Sequence, residues 1–79
     1  MEHGREKIRL ARPNLAPGAA RRLARRPFLL RHLAEVLEAP DTVETLLDGA
    51  LRLSKVCEHR LVRVKMRADL VVAVEQGVA

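Results

Sequence analysis

Aromatic side chains are almost missing from this sequence of 79 residues. Phe28 is the only one, with no Tyr and no Trp. Proteins that hold single-stranded nucleic acid stack its bases on aromatic rings, so a stacking platform is excluded. Cysteine is equally scarce. Cys57 alone closes no internal disulfide, and with three scattered histidines, His3, His32 and His59, it completes no recognisable metal motif. The glycines stand apart at 4, 18, 49 and 77, which leaves no glycine-rich phosphate loop. Ser54 is the single serine, so no Ser-His-Asp arrangement can be built around a choice of nucleophiles. No apolar run approaches the roughly 20 residues that span a bilayer. These absences point away from an enzyme and away from any resident cofactor or metal.

What is abundant is aliphatic carbon and positive charge. Hydrophobic residues make up 48% of the chain and the net charge is +5. Residues 1–40 carry nine bases against four acids, while residues 41–79 carry six of each. The whole excess therefore lies in the first half, as expected for a chain that meets an acidic partner, nucleic acid first. The opening stretch MEHGREKIRL mixes acids with bases and has no apolar centre. It does not read as a secretory or transit segment, and a cytoplasmic setting is expected.

The length allows one small domain, 1–79. Such a domain buries a modest share of its surface, and with no disulfide to staple it, association into a homodimer or larger assembly is expected. Along the chain, REKIRLA at 5–11 alternates and predicts a short N-terminal strand. Pro13-Asn14 and Pro17-Gly18 mark a loop. A helix is predicted from about residue 17, with Pro tolerated in its first turn. Arg21, Arg22, Arg25 and Arg26 spread over about 140° of its circumference at 100° per residue. Pro27 interrupts it, because the residue before a proline avoids helical angles.

FLLRHLAEVLE, residues 28–38, predicts a second helix, with Leu29, Leu30, Leu33, Val36 and Leu37 as its apolar face and Arg31 and Glu35 paired four apart on its polar side. DTVE at 41–44 reads as the start of a third, with Asp41 as the cap and Glu44 reaching back. Val43, Leu46, Leu47, Ala50 and Leu51 then follow helical spacing, with Asp48 and Arg52 paired on the other face. After Cys57 the period changes to two. HRLVRVKM and DLVVAVE alternate, are rich in β-branched valine, and are separated by a gap that fits only a hairpin.

Taken together, LLRHLAEVLEAPDTVETLLDGALRL resembles a helix-turn-helix, with the hairpin after it as a wing. That resemblance implies a second helix lying in the major groove. Its outward residues here are Glu44, Thr45, Asp48, Arg52 and Lys55, a mixed face with acids at the end that would enter first.

Cys57-Glu58-His59 has two readings. In a strand, residues two apart face the same side, so Cys57 and His59 can meet as a reactive or ligating pair. Alternatively, Cys57 is a buried structural residue.

The expected fold is α+β: a short N-terminal strand, two to three helices and a C-terminal β-hairpin, in a dimer. The expected function is phosphate binding by a basic nucleic-acid-binding protein. It is carried by Arg21, Arg22, Arg25 and Arg26 with Arg12 nearby, and by Arg63, Lys65 and Arg67 as a second patch. The alternative is an oligomeric interaction module that meets an acidic protein. Membrane binding is not expected, because the Arg-rich helix lacks bulky apolar anchors.

Overall fold

The computed structural model describes residues 14–78, so the strand expected at 5–11 and Arg12 lie outside the described residues. Among the described residues the fold is α+β, with two helices and a five-stranded mixed sheet. In chain order the elements are β1 (Asn14–Leu15), α1 (Pro17–Arg25), α2 (Pro27–Glu38), β2 (Thr42–Thr45), β3 (Leu51–Cys57), β4 (Arg60–Arg67) and β5 (Leu70–Val78). The sheet order is β1-β5-β4-β3-β2. Strands β2 to β5 run as an antiparallel meander, and β1 lies parallel to β5.

Proline sets both ends of the helical segment. Pro17 and Pro27 occupy first-turn positions of α1 and α2, where their missing N–H groups leave nothing unpaired. Arg26, just before Pro27, takes φ −128° and ψ 83°. That non-helical residue is the joint between the two helices, as the clash with the proline ring requires. Pro40 ends α2 in the same way, leaving Ala39 outside the helix.

Both helices pack on one face of the sheet. α1 buries Ala19 and Leu23, and α2 buries Leu29, Leu33 and Val36, against Leu53, Cys57, Val62, Val64, Val71 and Val74. The sheet supplies valines at alternate positions of β4, which places Arg63, Lys65 and Arg67 on the opposite, uncovered face. Alternation is interrupted in β5. A register shift at Lys65/Met66 pairs Met66 with Val71 and Lys65 with Ala73. This bulge lets Val71 and Val74 both reach the core although they are three apart.

The third helix expected over residues 41–57 is not formed. That segment is a hairpin, β2 and β3, with Leu46 to Ala50 as its connection. Asp41, expected as a helix cap, instead accepts the Val56 N–H at 3.0 Å with its carboxylate. Gly49 takes φ +87°, a conformation open to glycine and costly in a helix. Asp48 accepts the Ala50 N–H at 3.0 Å and closes the turn. The helical spacing of Val43, Leu46, Leu47, Ala50 and Leu51 was outweighed by the ladder β3 forms with β4, seven residues of continuous pairing. With no helix after Pro40, there is no second helix of a helix-turn-helix to enter a groove.

Two expected ion pairs are redistributed, the first because the third helix is absent and the second because Glu58 of the β3–β4 turn comes up beside α2. Arg52 pairs with Glu44 directly across the β2–β3 ladder, not with Asp48. Arg31 reaches Glu58, and Glu35 turns to His32.

Candidate functional site

The arginine cluster divides at the end of α1. Arg21, Arg22 and Arg25 stand on the helix and are exposed, while Ala19 and Leu23 hold the other side in the core. Arg26 is exposed too, but sits in the joint and leaves the regular arc. None of the four makes an ion pair with a described residue. Arg22 and Arg25 fall in the last turn, where positive charge meets the negative end of the helix dipole. Arg22 also borders a shallow cleft of about 350 Å³ between α1 and β5, lined by Gly18, Ala19 and residues 72–76 of the strand.

The second basic patch is built differently. Arg63, Lys65 and Arg67 lie on the uncovered sheet face, away from both helices. Lys65 and Arg67 both meet Asp48, at 3.4 and 2.8 Å, and Arg63 meets Glu75 at 3.8 Å. Arg52 on the same face is matched by Glu44 at 2.8 Å. Asp48 is held at about 2, well under its ordinary 3.8. The causes are the Ala50 N–H it accepts first, then Arg67 and Lys65. Arg63 lies over Gly77, where an added Cβ would sit 3.1 Å from its Nη2. Its Nε is buried with no hydrogen-bond partner among the described residues. The described residues thus present two basic surfaces facing in different directions, and acids offset the one on the sheet.

Cys57 does not meet His59. Glu58 and His59 form the β3–β4 turn, both in left-handed backbone with φ 52° and 68°, and His59 is exposed. The histidine that approaches Cys57 is His32 of α2, one helical turn before Glu35. His32 is 8% exposed. Its Nδ1 lies 3.0 Å from Glu35 Oε1 and its Nε2 lies 3.0 Å from Glu58 Oε2. His32, Glu35 and Cys57 each bring one donor atom within 4.8 Å of the others. Burial pushes the Cys57 thiol up, and the charge of Glu35 adds to it. A thiol so disfavoured as thiolate is not set up as a free nucleophile. Phe28 packs on the His32 ring with centroids 4.7 Å apart, and the Arg60 guanidinium stands 4.8 Å over its own ring. The one aromatic is therefore already occupied.

This cluster is not legible in the sequence. Its only local signal is the three-residue spacing of His32 and Glu35, which puts them on one side of a helix. Cys57 arrives from the end of β3, and Glu58 from the turn after it, 26 residues beyond His32.

No described helix is long and apolar enough to cross a membrane. No protein-family model matches the chain, and neither a curated protein nor a solved structure matches it.

Proposed function

We propose that this chain binds nucleic acid through its backbone phosphates, on the arginine face of α1. The observation that carries the reading is the contrast between the two basic surfaces. The bases of the sheet face are matched by Asp48, Glu75 and Glu44. Arg21, Arg22, Arg25 and Arg26 are exposed, and no described acid pairs with them. Phosphates are attracted to charge that is not already compensated, and they release counterions when they bind it. A side-chain fork on a helix suits phosphate oxygens. Duplex or structured RNA is the favoured target, because Phe28 is covered by His32 and Arg60 and offers no ring to an unstacked base. Contact through backbone phosphates positions a protein without reading sequence, so little sequence preference is expected.

Because Arg63, Lys65 and Arg67 face away from α1, a single straight duplex meets one patch at a time, and α1 is the principal one. The test is binding to a labelled duplex at two salt concentrations, for the wild type and for Arg22→Ala with Arg26→Ala. Wild-type affinity falls steeply with salt, and the variant binds less and falls less. Absent or salt-insensitive binding overturns the reading.

A second reading, an oligomeric module that meets an acidic protein, is favoured by one edge of the sheet. β1 pairs with β5 only at Leu70 and Val71. From Val72 on, no described strand covers that side of β5, and among the described residues its backbone groups there are the kind of edge that supports pairing with a strand of another chain. This reading calls for self-association in analytical ultracentrifugation and no affinity for nucleic acid even at low salt. A monomer at all concentrations removes the oligomeric form of it.

A further inference from the structure

The cluster under α2 is more than an ion-pair clamp. His32 is buried with a carboxylate oxygen 3.0 Å from each ring nitrogen. A neutral imidazole has one N–H and one lone pair, and an ionised carboxylate only accepts. One of the two contacts is then a hydrogen bond. The other brings two lone pairs to 3.0 Å, an arrangement that needs a cation. A proton on the ring can supply that cation and satisfies both carboxylates, so the feature that points beyond a proton is a third donor, the sulfur of Cys57. Cys57 joins the same group, 3% exposed, with its donor within 4.8 Å of those of His32 and Glu35. Nitrogen, oxygen and sulfur converging on one point is the donor set of a borderline-soft divalent ion.

We propose that His32, Glu35 and Cys57 form a binding site for a divalent cation of the zinc class, with Glu58 as the residue that positions the imidazole. In this assignment Nε2–H donates to Glu58 and the Nδ1 lone pair faces the ion beside Glu35. A ligating histidine commonly gives its other N–H to a carboxylate, which fixes tautomer and ring orientation. The distances fit with little movement. Tetrahedral bonds of about 2.0–2.3 Å put ligand atoms about 3.3–3.8 Å apart. His32 and Glu35 already stand at 3.0 Å, and the widest separation in the group, 4.8 Å, closes by about 1 Å. Glu35 has the freedom to make that move, since its side chain is 49% exposed. His32 and Cys57 are fixed by the core, one on α2 and the other at the end of β3. Three protein donors leave the fourth position to water or to an anion, the open form of such a site.

The test is titration of the full chain, purified with a chelator and a thiol reductant, with Zn2+ and separately with Co2+. The expected result is one ion per chain, a rise in thermal midpoint on adding Zn2+, and a thiolate-to-cobalt charge-transfer band with Co2+. Cys57→Ser loses the charge-transfer band. Glu35→Gln, at a half-exposed position that leaves the fold intact, loses most of the affinity. Glu58→Gln keeps the three donors and weakens binding about 10- to 100-fold. Glu38→Gln, on the same helix but outside the cluster, binds as wild type. Circular dichroism of each variant separates lost binding from lost fold. No stoichiometric binding by a folded wild type overturns the proposal, as does a cobalt spectrum without the thiolate band or equal affinity in Glu35→Gln.

Discussion

Replacing Arg22 and Arg25 with alanine removes two of the four arginines at α1 while leaving its core side, Ala19 and Leu23, untouched. If each arginine neutralises one phosphate, the wild type releases counterions from four, and log K falls with log salt at a slope of about −3.6. Raising salt fourfold, from about 50 to 200 mM, then costs the wild type about 150-fold in affinity. The double variant keeps Arg21 and Arg26, its slope is about −1.8, and the same change costs it about 12-fold. Alanine is a good helix former, so the substitutions do not unwind α1, although they forgo two favourable charges in its last turn. The assay is fluorescence anisotropy of a labelled duplex across several salt concentrations. Circular dichroism confirms the helix in each variant. Substituting Arg63 and Lys65 serves as the comparison. Those side chains are already matched by Glu75 and Asp48, and their loss changes the slope less. An unchanged slope in the α1 variant would refute the reasoning, as would a larger change from the sheet-face variant.

Other expectations concern the fold. Leu29 and Val62 are fully buried, and Leu29→Ala costs about 2–5 kcal/mol in urea unfolding, with Val62→Ala toward the lower end. His59 and Ala68 hold left-handed backbone in tight hairpin turns, where glycine is unstrained. His59→Gly and Ala68→Gly therefore each raise stability by about 1 kcal/mol, read from the urea midpoint. Gly49→Ala, at φ +87°, does the reverse by about 1–2 kcal/mol. Asp48 has a folded value of about 2 against 3.8. Its contribution is thus complete above the unfolded value and is lost as pH falls from about 4 toward 2. Asp48→Asn keeps the turn acceptor, and its thermal midpoint declines less steeply than that of the wild type over that interval.

Much of the fold was legible because local chemistry and the final packing agree. Pro17, Pro27 and Pro40 punctuate the chain, and the apolar face read from Leu29, Leu30, Leu33, Val36 and Leu37 marks the inward side of α2, except that Leu30 is left 54% exposed. Valines at alternate positions of residues 61–66 mark β4. β2 and β3 were not legible. Val43, Leu46, Leu47, Ala50 and Leu51 satisfy a helical period, and leucine, alanine and glutamate favour helices. The alternation that matters, Leu53 and Cys57 inward with Arg52 and Ser54 outward, gains meaning only beside β4. The turn that should have announced the β3–β4 hairpin reads Glu58-His59, without the asparagine or glycine that both positive φ values invite.

The candidate site divides along the same line. Sequence alone determined that positive charge gathers before residue 27, because composition and spacing are properties of the chain. It also determined that the run after Pro27 turns apolar and enters the core. Only the tertiary structure decided which bases meet acids. Asp48, in the turn between β2 and β3, meets Lys65 and Arg67 of the neighbouring β4, and that pairing leaves α1 as a surface without a described acidic partner. The meeting of His32 and Glu35 with Cys57 and Glu58 was decided there as well. Contacts between residues far apart in sequence depend on strand register and helix docking, and the burial of the whole core sets both at once.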